Sequence, residues 1–389
     1  MFKFDEQKLK DLGAIITTTE IKQQPELWAE AYEIYKENKE NLDKFISNIG
    51  EKHGQFRVIF TGAGTSAYVG NSIVPYLNRK NDQKKMIIEA IATTDIVSNP
   101  YDYLKEDMPT LLVSFARSGN SPESLAALNL GKQVVKDFYH LAITCAPEGK
   151  LAQMTKNDEH NYLLLMPARS NDQGFAMTGS FSCMMLSAML IFDNLNEDEE
   201  SSYVRTIVEM GRNVIERKDE VHKYIEGDFD RVVYLGSGGL GALTQEAQLK
   251  LLELTAGKIA TGYDSSMGFR HGPKSFINEN TLVFVFVSNN AYTRQYDLDV
   301  LEEINADQIA KLTCAISVEN EANFSGETFG FEKEYANLPD AYLAFPYIMF
   351  AQSLSLFVSV KVGNKPDTPS PTGTVNRVVK GVIIHEYEK

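Results

Sequence analysis

The segment Arg57-Val-Ile-Phe-Thr-Gly-Ala-Gly-Thr65 returns later in the chain as Arg231-Val-Val-Tyr-Leu-Gly-Ser-Gly-Gly239. In each copy a continuous apolar run leads directly into a glycine-rich turn. This pattern is typical of a strand that is buried on both faces and is followed by a helix. Because the unit occurs twice, duplication of one α/β domain is the economical explanation.

Further short apolar runs, bounded by turn residues, follow both copies of this segment. They are Met86–Ile91, Thr110–Ser114, His140–Cys145, Tyr162–Met166, Thr281–Val287 and Leu312–Ile316. Alternation of such runs with helical stretches predicts a mainly parallel sheet flanked by helices in each copy, a flavodoxin-like three-layer α/β/α arrangement.

The same pattern divides the chain. We expect a helical lead-in over residues 1–50, a first α/β domain over 51–200, a second domain over 201–364 and an extended tail over 365–389. A helix at about Tyr203–Glu226 is expected to strap the two halves together, and a late helix at about Tyr342–Val362 to close the second copy.

Composition excludes several classes of protein. The chain has 389 residues, 38 Lys and Arg against 53 Asp and Glu, and a net charge of −15, which disfavours nucleic acid and anionic membranes as partners. The N-terminus lacks a signal peptide's apolar region, and the longest apolar stretches, around Cys183–Phe192 and Thr281–Val287, are too short to span a membrane. We therefore expect a cytoplasmic protein.

Cysteine and histidine spacing gives no sign of a metal or a disulfide framework. The 3 cysteines, Cys145, Cys183 and Cys314, are far apart and form no ligand pattern with histidine. We expect them to be reduced and mostly buried, and we expect neither a metal nor a cofactor.

Both glycine-rich turns, Gly62–Ala67 and Gly236–Gly241, fit the dinucleotide fingerprint G-x-G-x-x-G/A. Nicotinamide cofactor binding is thus an alternative. In the first copy Glu89 could serve the ribose, whereas in the second Glu253 falls inside a helical pattern. A turn that only packs a helix on a sheet remains a further interpretation of the second copy.

A stronger signal is the hydroxyl-rich loop Phe115-Ala-Arg-Ser-Gly-Asn-Ser-Pro-Glu-Ser124, which follows the run Thr110–Ser114. Helix capping alone would explain Ser121 before Pro122. It does not explain Arg117, Ser118 and Gly119, a set suited to a phosphate dianion. Together with Thr65 and Ser66 these residues are expected at the carboxyl ends of adjacent strands, where open α/β sheets bind ligands.

At these motifs the chain resembles the SIS (sugar isomerase) domain family, as a tandem pair over nearly its whole length. The segments Gln245–Thr255 and Phe269-Arg-His-Gly-Pro273 are similar to the catalytic helix and histidine loop of the isomerase half of glucosamine-6-phosphate synthase, and Asn376–Val382 to its C-terminal lysine segment. The serine loop and Gly174-Phe-Ala-Met-Thr178 resemble the galactosamine-6-phosphate deaminase and tagatose-6-phosphate ketose/aldose isomerase branch.

The resemblance implies a role for each matching residue. Phosphosugar binding falls to Gly64, Thr65, Ser66, Arg117, Ser118, Ser121 and Thr178, although a helix cap is the alternative for Thr178. Glu253 matches the base at C2, His271 the residue that opens the sugar ring, and Lys380 the tail lysine near the sugar carbonyl. A histidine loop that reaches a neighbouring protomer implies at least a homodimer.

The spacing of Glu246, Lys250 and Glu253 supports this chemistry independently. The three positions, i, i+4 and i+7, share one helix face, so two carboxylates flank an ammonium. Glu246 is therefore a further catalytic candidate, and a solvent-facing ion pair with Lys250 is the alternative.

We expect a phosphosugar enzyme that converts galactosamine 6-phosphate to tagatose 6-phosphate and ammonia by proton transfer from C2 to C1. Aldose–ketose isomerisation of a non-amino hexose 6-phosphate is the second enzyme hypothesis. A regulator that binds a phosphosugar without turnover is the third, although Glu253 and His271 weigh against it.

Overall fold

The computed structural model describes residues 4–156, 158–379 and 381–388. Numbered along the chain, the described helices are α1 (Glu6–Asp11), α2 (Ile15–Lys22), α3 (Gln24–His53), α4 (Thr65–Lys80), α5 (Thr93–Ser98), α6 (Pro100–Tyr103), α7 (Pro122–Val134), α8 (Lys150–Thr155), α9 (Gly179–Phe192), α10 (Glu197–Glu216), α11 (Lys218–Lys223), α12 (Gly238–Leu254), α13 (Ala291–Asp307) and α14 (Asp340–Lys361). Short 3-10 helices cover Ala168–Ser170, Gly268–Arg270, Pro273–Phe276 and Lys333–Tyr335.

The described strands are β1 (Phe56–Thr61), β2 (Met86–Ala90), β3 (Thr110–Ala116), β4 (Phe138–Thr144), β5 (Asn161–Leu165), β6 (Arg231–Gly236), β7 (Ala260–Ser265), β8 (Thr281–Phe286), β9 (Leu312–Val318) and β10 (Glu327–Phe331). They form two sheets, ordered β2-β1-β3-β4-β5 and β7-β6-β8-β9-β10, and every neighbouring pair is parallel. The two orders correspond strand for strand, which confirms the expected duplicated α/β fold.

The chain divides into two units, each built on one sheet. The sheet A unit comprises Glu26–Asp172, Met177–Glu200 and Val375–Lys389, and contains β1 to β5. The sheet B unit comprises Met1–Pro25, Gln173–Ala176 and Ser201–Thr374, and contains β6 to β10.

Sheet A is covered on both faces, and its strands β1 and β3 are buried at every position. Ile59 packs in a cluster with Ala127 and Leu130 of α7. The next residue, Phe60, packs against Phe192 of α9, with ring centroids 5.1 Å apart. Successive strand residues point to opposite faces, so these contacts place helices on both sides of the sheet.

Sheet B repeats this arrangement with different side chains. Val283 and Val285 of β8 pack against Val300 of α13. Between them Phe284 points the other way and packs against Phe350 of α14, with centroids 5.6 Å apart. Continuous apolar strands therefore create two core layers in each unit.

The two edge strands of sheet B were not predicted from the sequence. β7 reads Ala-Thr-Gly-Tyr-Asp-Ser, and three of its residues are exposed. β10 reads Glu-Thr-Phe-Gly-Phe. An edge strand pairs on one side only and is less buried, so neither sequence contains a continuous apolar run.

Helix α14 corrects one expectation from the sequence. Over Asp340–Lys361 it is long and apolar enough to cross a membrane by composition, so the longest apolar stretch does reach that length. However, 94% of its most apolar window is buried within the structure. Burial on this scale identifies α14 as a core helix of the sheet B unit.

Equivalent glycines shape the turn after the first strand of each sheet. Gly64 has φ = 56° and Gly238 has φ = 57°, in the left-handed region that favours glycine. Gly64 precedes α4, and Gly238 is the first residue of α12. The two copies of the fold signal therefore share a backbone conformation as well as a sequence pattern.

Candidate active site

A cavity of about 100 Å³ opens in the sheet A unit at the carboxyl ends of β1 and β3. It is lined by Ala63, Ser66, Phe115, Ala116, Arg117, Ser118, Gly119, Ser121, Ser124, Met177, Arg377, Val378 and Val379. Four of the predicted phosphosugar-binding residues, Ser66, Arg117, Ser118 and Ser121, are thus brought together. Serine hydroxyls and guanidinium groups are suited to a phosphate.

The serine loop keeps its hydroxyls near the cavity. Ser121 occupies the position before α7, but its side chain makes no capping hydrogen bond. Its hydroxyl instead lies 2.7 Å from that of Ser124, and both residues line the cavity. Gly119, with φ = 63°, supplies the left-handed turn between them and Ser118. Capping therefore does not account for Ser121.

Arg117 joins this loop to the tail. It is 7% exposed, and its Nη2 donates to the backbone carbonyl of Arg377 at 2.6 Å. The Arg377 guanidinium in turn donates from Nε to the carbonyl of Asp172 at 2.8 Å. Arg377 was not predicted as a cavity residue, because the resemblance of the tail segment implies a role only for Lys380.

The remaining predicted phosphosugar ligands do not line the cavity. Gly64 precedes α4, and Thr65 is its first residue, next to Ser66. Thr178 is 1% exposed, and its hydroxyl donates to Asp172 Oδ1 at 2.9 Å. The Asp172 carboxylate also accepts from the backbone N–H of Thr178 at 2.8 Å, and the Thr178 side chain makes no capping hydrogen bond to α9.

Helix α12 of the sheet B unit carries the predicted acid–base residues. Lys250 Nζ lies 2.8 Å from Glu253 Oε2 and 3.3 Å from Glu246 Oε1. The predicted shared helix face is present. The solvent-facing alternative is wrong, because the Lys250 and Glu246 side chains are 1% and 0% exposed.

The three side chains differ in how far they are buried, and therefore in whether a ligand can reach them. Glu253 is 24% exposed and is accessible to a ligand, whereas Glu246 is not. Burial disfavours the Lys250 ammonium, yet the charges of Glu246 and Glu253 outweigh it, and the pKa of Lys250 rises above its ordinary value. Lys250 is therefore a buried cation held between two carboxylates.

His271 lies in an exposed loop of the same unit. It follows the short helix Gly268–Arg270 and precedes Gly272, whose φ is 121°. On either side of it Arg270 and Lys274 pair with Glu303 of α13, with Arg270 Nε 2.7 Å from Glu303 Oε2. The histidine is accessible while the residues around it are tethered.

The predicted catalytic and binding residues thus fall into two sets. The cavity residues belong to the sheet A unit, and Glu253 and His271 belong to the sheet B unit. Lys380 lies outside the described residues.

The structure also locates the residues that were considered for other chemistry. In the ranges 4–156, 158–379 and 381–388 no group of three or more His, Cys, Asp or Glu residues could hold a metal. Cys145, Cys183 and Cys314 are free and buried, as expected. Glu89, the candidate for a cofactor ribose, pairs with Arg57 on the neighbouring strand.

Comparison with known proteins decides the family. The SIS domain model matches residues 53–192, which span β1 to β5. The D-galactosamine-6-phosphate deaminase AgaS of Shewanella sp. (strain ANA-3) is 41% identical over 98% of this chain and 95% of its own length. The chain belongs to the SIS domain family.

Two crystal structures place this SIS protein among full-length relatives. The tagatose-6-phosphate ketose/aldose isomerase of Escherichia coli is 40% identical, with a TM-score of 0.86 over 96% of this chain and 97% of its own. A protein of Clostridium novyi NT, provisionally assigned the same activity, is 47% identical, with a TM-score of 0.89 over 99% and 98%. The similarity extends across both sheets and the tail.

Proposed function

We propose that this SIS protein converts galactosamine 6-phosphate and water to tagatose 6-phosphate and ammonia. The observation that carries the proposal is the 41% identity, over 98% of the chain, to a protein named D-galactosamine-6-phosphate deaminase. The chemistry of the cavity and of α12 supports it from the side chains themselves.

Phosphate binding is assigned to the cavity of the sheet A unit. The hydroxyls of Ser66, Ser118 and Ser121 donate to phosphate oxygens in this proposal, and Arg117 and Arg377 supply positive charge. Charge-assisted hydrogen bonds of this type are roughly twice as strong as neutral ones. A net charge of −15 for the chain makes such a local positive site the more necessary for a dianionic substrate.

Proton transfer is assigned to Glu253. In the open-chain aldose it removes the C2 proton, the C2–H electron pair forms the C1–C2 double bond, and the C1=O π pair moves to O1, which takes up a proton to give an enaminol. Return of a proton to C1 gives a ketimine, and addition of water at C2 releases ammonia and leaves the ketose. A carboxylate must be ionised to act as a base, and Lys250 donates from Nζ to Glu253 Oε2 at 2.8 Å.

Ring opening is assigned to His271, because imidazole can both donate and accept a proton near neutral pH. Lys380 is proposed to act near the sugar carbonyl. The substrate needs neither a metal nor a redox cofactor for these proton transfers, and we propose none. Glu246 is assigned a supporting role, since its 0% exposure keeps it from the substrate.

The test is coupled release of ammonia and ketose 6-phosphate from galactosamine 6-phosphate, with glucosamine 6-phosphate assayed in parallel. Glu253→Gln keeps the size of the side chain but removes the base, so it should abolish both products. Its matched control is Glu226→Gln, an exposed substitution in the same unit. Phosphosugar binding without turnover of any amino or non-amino hexose phosphate would refute the enzyme and favour the regulator.

A second candidate function is aldose–ketose isomerisation of a hexose 6-phosphate without an amine. It is favoured by the 40% identity to the Escherichia coli tagatose-6-phosphate ketose/aldose isomerase. The same enediol chemistry at C1 and C2 would then end at the ketose without hydrolysis. Turnover of tagatose 6-phosphate, with no ammonia from either amino sugar, would identify it.

The assembly and the compartment are part of the proposal. We expect a cytoplasmic homodimer or higher homo-oligomer that binds no nucleic acid or membrane. Sedimentation of the purified chain measures its mass, and a monomer at assay concentrations would contradict the expected assembly.

A further inference from the structure

We propose that Asp297 is a positioning residue that fixes the helix carrying Glu253 and the loop carrying His271 relative to each other. The inference rests on the proposed function, because the roles of Glu253 and His271 belong to it. Asp297 lies on α13 and was not selected by any sequence motif.

The carboxylate of Asp297 is the meeting point of three strand ends of sheet B. Its Oδ1 accepts from the hydroxyls of Ser237 and Ser266, each at 2.5 Å. Its Oδ2 accepts from the backbone N–H of Ser288 at 3.0 Å. These residues follow β6, β7 and β8, and Asp297 itself is 0% exposed.

Two of these serines lead directly to the proposed catalytic residues. Ser237 immediately precedes α12, whose last turn carries Glu253. Ser266 follows β7 and precedes the short helix Gly268–Arg270, at the end of which His271 stands. A single oxygen atom therefore joins the start of the base helix to the start of the histidine loop.

The same position in sheet A has the opposite character. There the ends of β1 and β3 border the phosphate cavity, whereas in sheet B the ends of β6 and β8 converge on the Asp297 carboxylate. A buried carboxylate is costly unless hydrogen bonds satisfy it, and it repels a phosphate. In sheet B the buried Asp297 carboxylate therefore occupies the position that the cavity occupies in sheet A. Its proposed role is to hold the strand ends together, and this gives a reason for a charged group at that position.

A second set of contacts from α13 reaches the far side of the histidine loop. Glu303 pairs with Arg270 and Lys274, and Asp307 Oδ2 lies 2.6 Å from Lys274 Nζ. These side chains are 26–38% exposed, so solvent weakens each pair. Asp297 is buried and should therefore contribute most of the anchoring.

The test compares Asp297→Asn, Ser237→Ala and Ser266→Ala with the wild type. Asp299→Asn, an exposed substitution two residues along the same helix, is the matched control. We expect Asp297→Asn to lower kcat for ammonia release about tenfold or more while KM changes about threefold or less, since phosphate binding is assigned to the other unit. The control should match the wild type.

Isotope effects separate the contribution of the Ser237 hydrogen bond from that of the Ser266 hydrogen bond. With substrate deuterated at C2, Ser237→Ala should increase the isotope effect on kcat/KM, because a displaced Glu253 makes proton removal slower relative to other steps. Ser266→Ala should decrease it, because a displaced His271 makes ring opening slower. A purely structural role would move both effects in the same direction or neither.

A measurement without substrate keeps the inference separate from the proposed function. Amide hydrogen exchange should increase in Asp297→Asn over residues 237–242 and 266–275, and remain unchanged across sheet A. An inactive wild type with this exchange pattern would refute the deaminase but support the anchor. An active wild type, with Asp297→Asn unchanged in kcat and exchange, would overturn the anchor. If Asp297→Asn does not fold, the kinetics and hydrogen exchange of Ser237→Ala and Ser266→Ala test the anchor in its place.

Discussion

The buried ion cluster on α12 makes Lys250→Met a stringent stability test, with an expected loss of about 3–5 kcal/mol in the free energy of unfolding. Lys250 is 1% exposed and Glu246 0%, so the Glu246 carboxylate cannot regain hydration when the ammonium is removed. Glu253 is 24% exposed and can regain part of it. Most of the loss should therefore arise from Glu246.

Urea denaturation followed by far-UV circular dichroism at pH 7 measures this loss. The matched control is Lys36→Met, which breaks the exposed ion pair with Glu33 and should cost less than about 1 kcal/mol. Trp28, the single tryptophan, belongs to the sheet A unit, and its fluorescence identifies the transition of that unit if the two separate.

The double variant Glu246→Gln with Lys250→Met provides the decisive comparison. A neutral amide replaces the buried carboxylate that has lost the Lys250 ammonium, so the double variant should be more stable than Lys250→Met alone by about 2 kcal/mol or more. A loss for Lys250→Met no larger than for Lys36→Met would refute the reasoning. So would a double variant whose loss equals the sum of the two single losses.

Three further predictions concern ligand binding and pH. Ser118→Ala should raise KM for the phosphosugar about tenfold with kcat nearly unchanged, because one hydrogen bond to a charged group is lost in ground and transition states alike; steady-state kinetics with an equal fall in kcat would contradict this. Because the pKa of Lys250 is raised above 10.5, its stabilising charge is complete below pH 10.5 and is lost as the pH rises through the raised value. The difference in unfolding free energy between the wild type and Lys250→Met should therefore narrow at alkaline pH, and a constant difference would be inconsistent with it. Burial lowers the pKa of His140 to about 3 from 6.5, so the unfolded chain binds a proton first, and stability should fall as the pH drops from about 6.5 toward 3. His140→Gln should show a shallower acid dependence of the unfolding midpoint, and identical slopes would argue against this assignment.

The central strands could be predicted because burial on both faces requires apolar residues on both faces, and this pattern is visible within the sequence of each strand. Val58, Ile59 and Phe60 are at most 1% exposed, and the sequence reads as an uninterrupted apolar run. The two edge strands of sheet B show no such pattern, since β7 and β10 are partly exposed and polar. Their places in sheet B depend on pairing with β6 and β9, which a local pattern does not contain.

The candidate site likewise contains residues that a short sequence motif identifies and residues whose surroundings depend on distant parts of the chain. Ser118 and Ser121 could be selected because the chemistry lies in one short loop. The burial of Lys250 could not, since helical spacing places it on a face without saying what covers that face. In the structure the apolar helix α14 packs against α12, and Lys250 is 1% exposed. Asp297 and Arg377 have partners distant in sequence and were missed for that reason.

Duplication of the fold provides two units, between which the proposed phosphate binding and proton transfer can be divided. Both copies inherit a glycine turn and a crevice at the ends of the first and third strands of the sheet. In sheet A the crevice presents hydroxyls and guanidinium groups, which suit an anion. In sheet B Asp297 takes up the equivalent hydroxyl and amide donors, so these cannot serve a phosphate. In the proposed anchor these donors instead fix the helix of Glu253 and the loop of His271, and rigid placement is what the proposed acid–base pair requires.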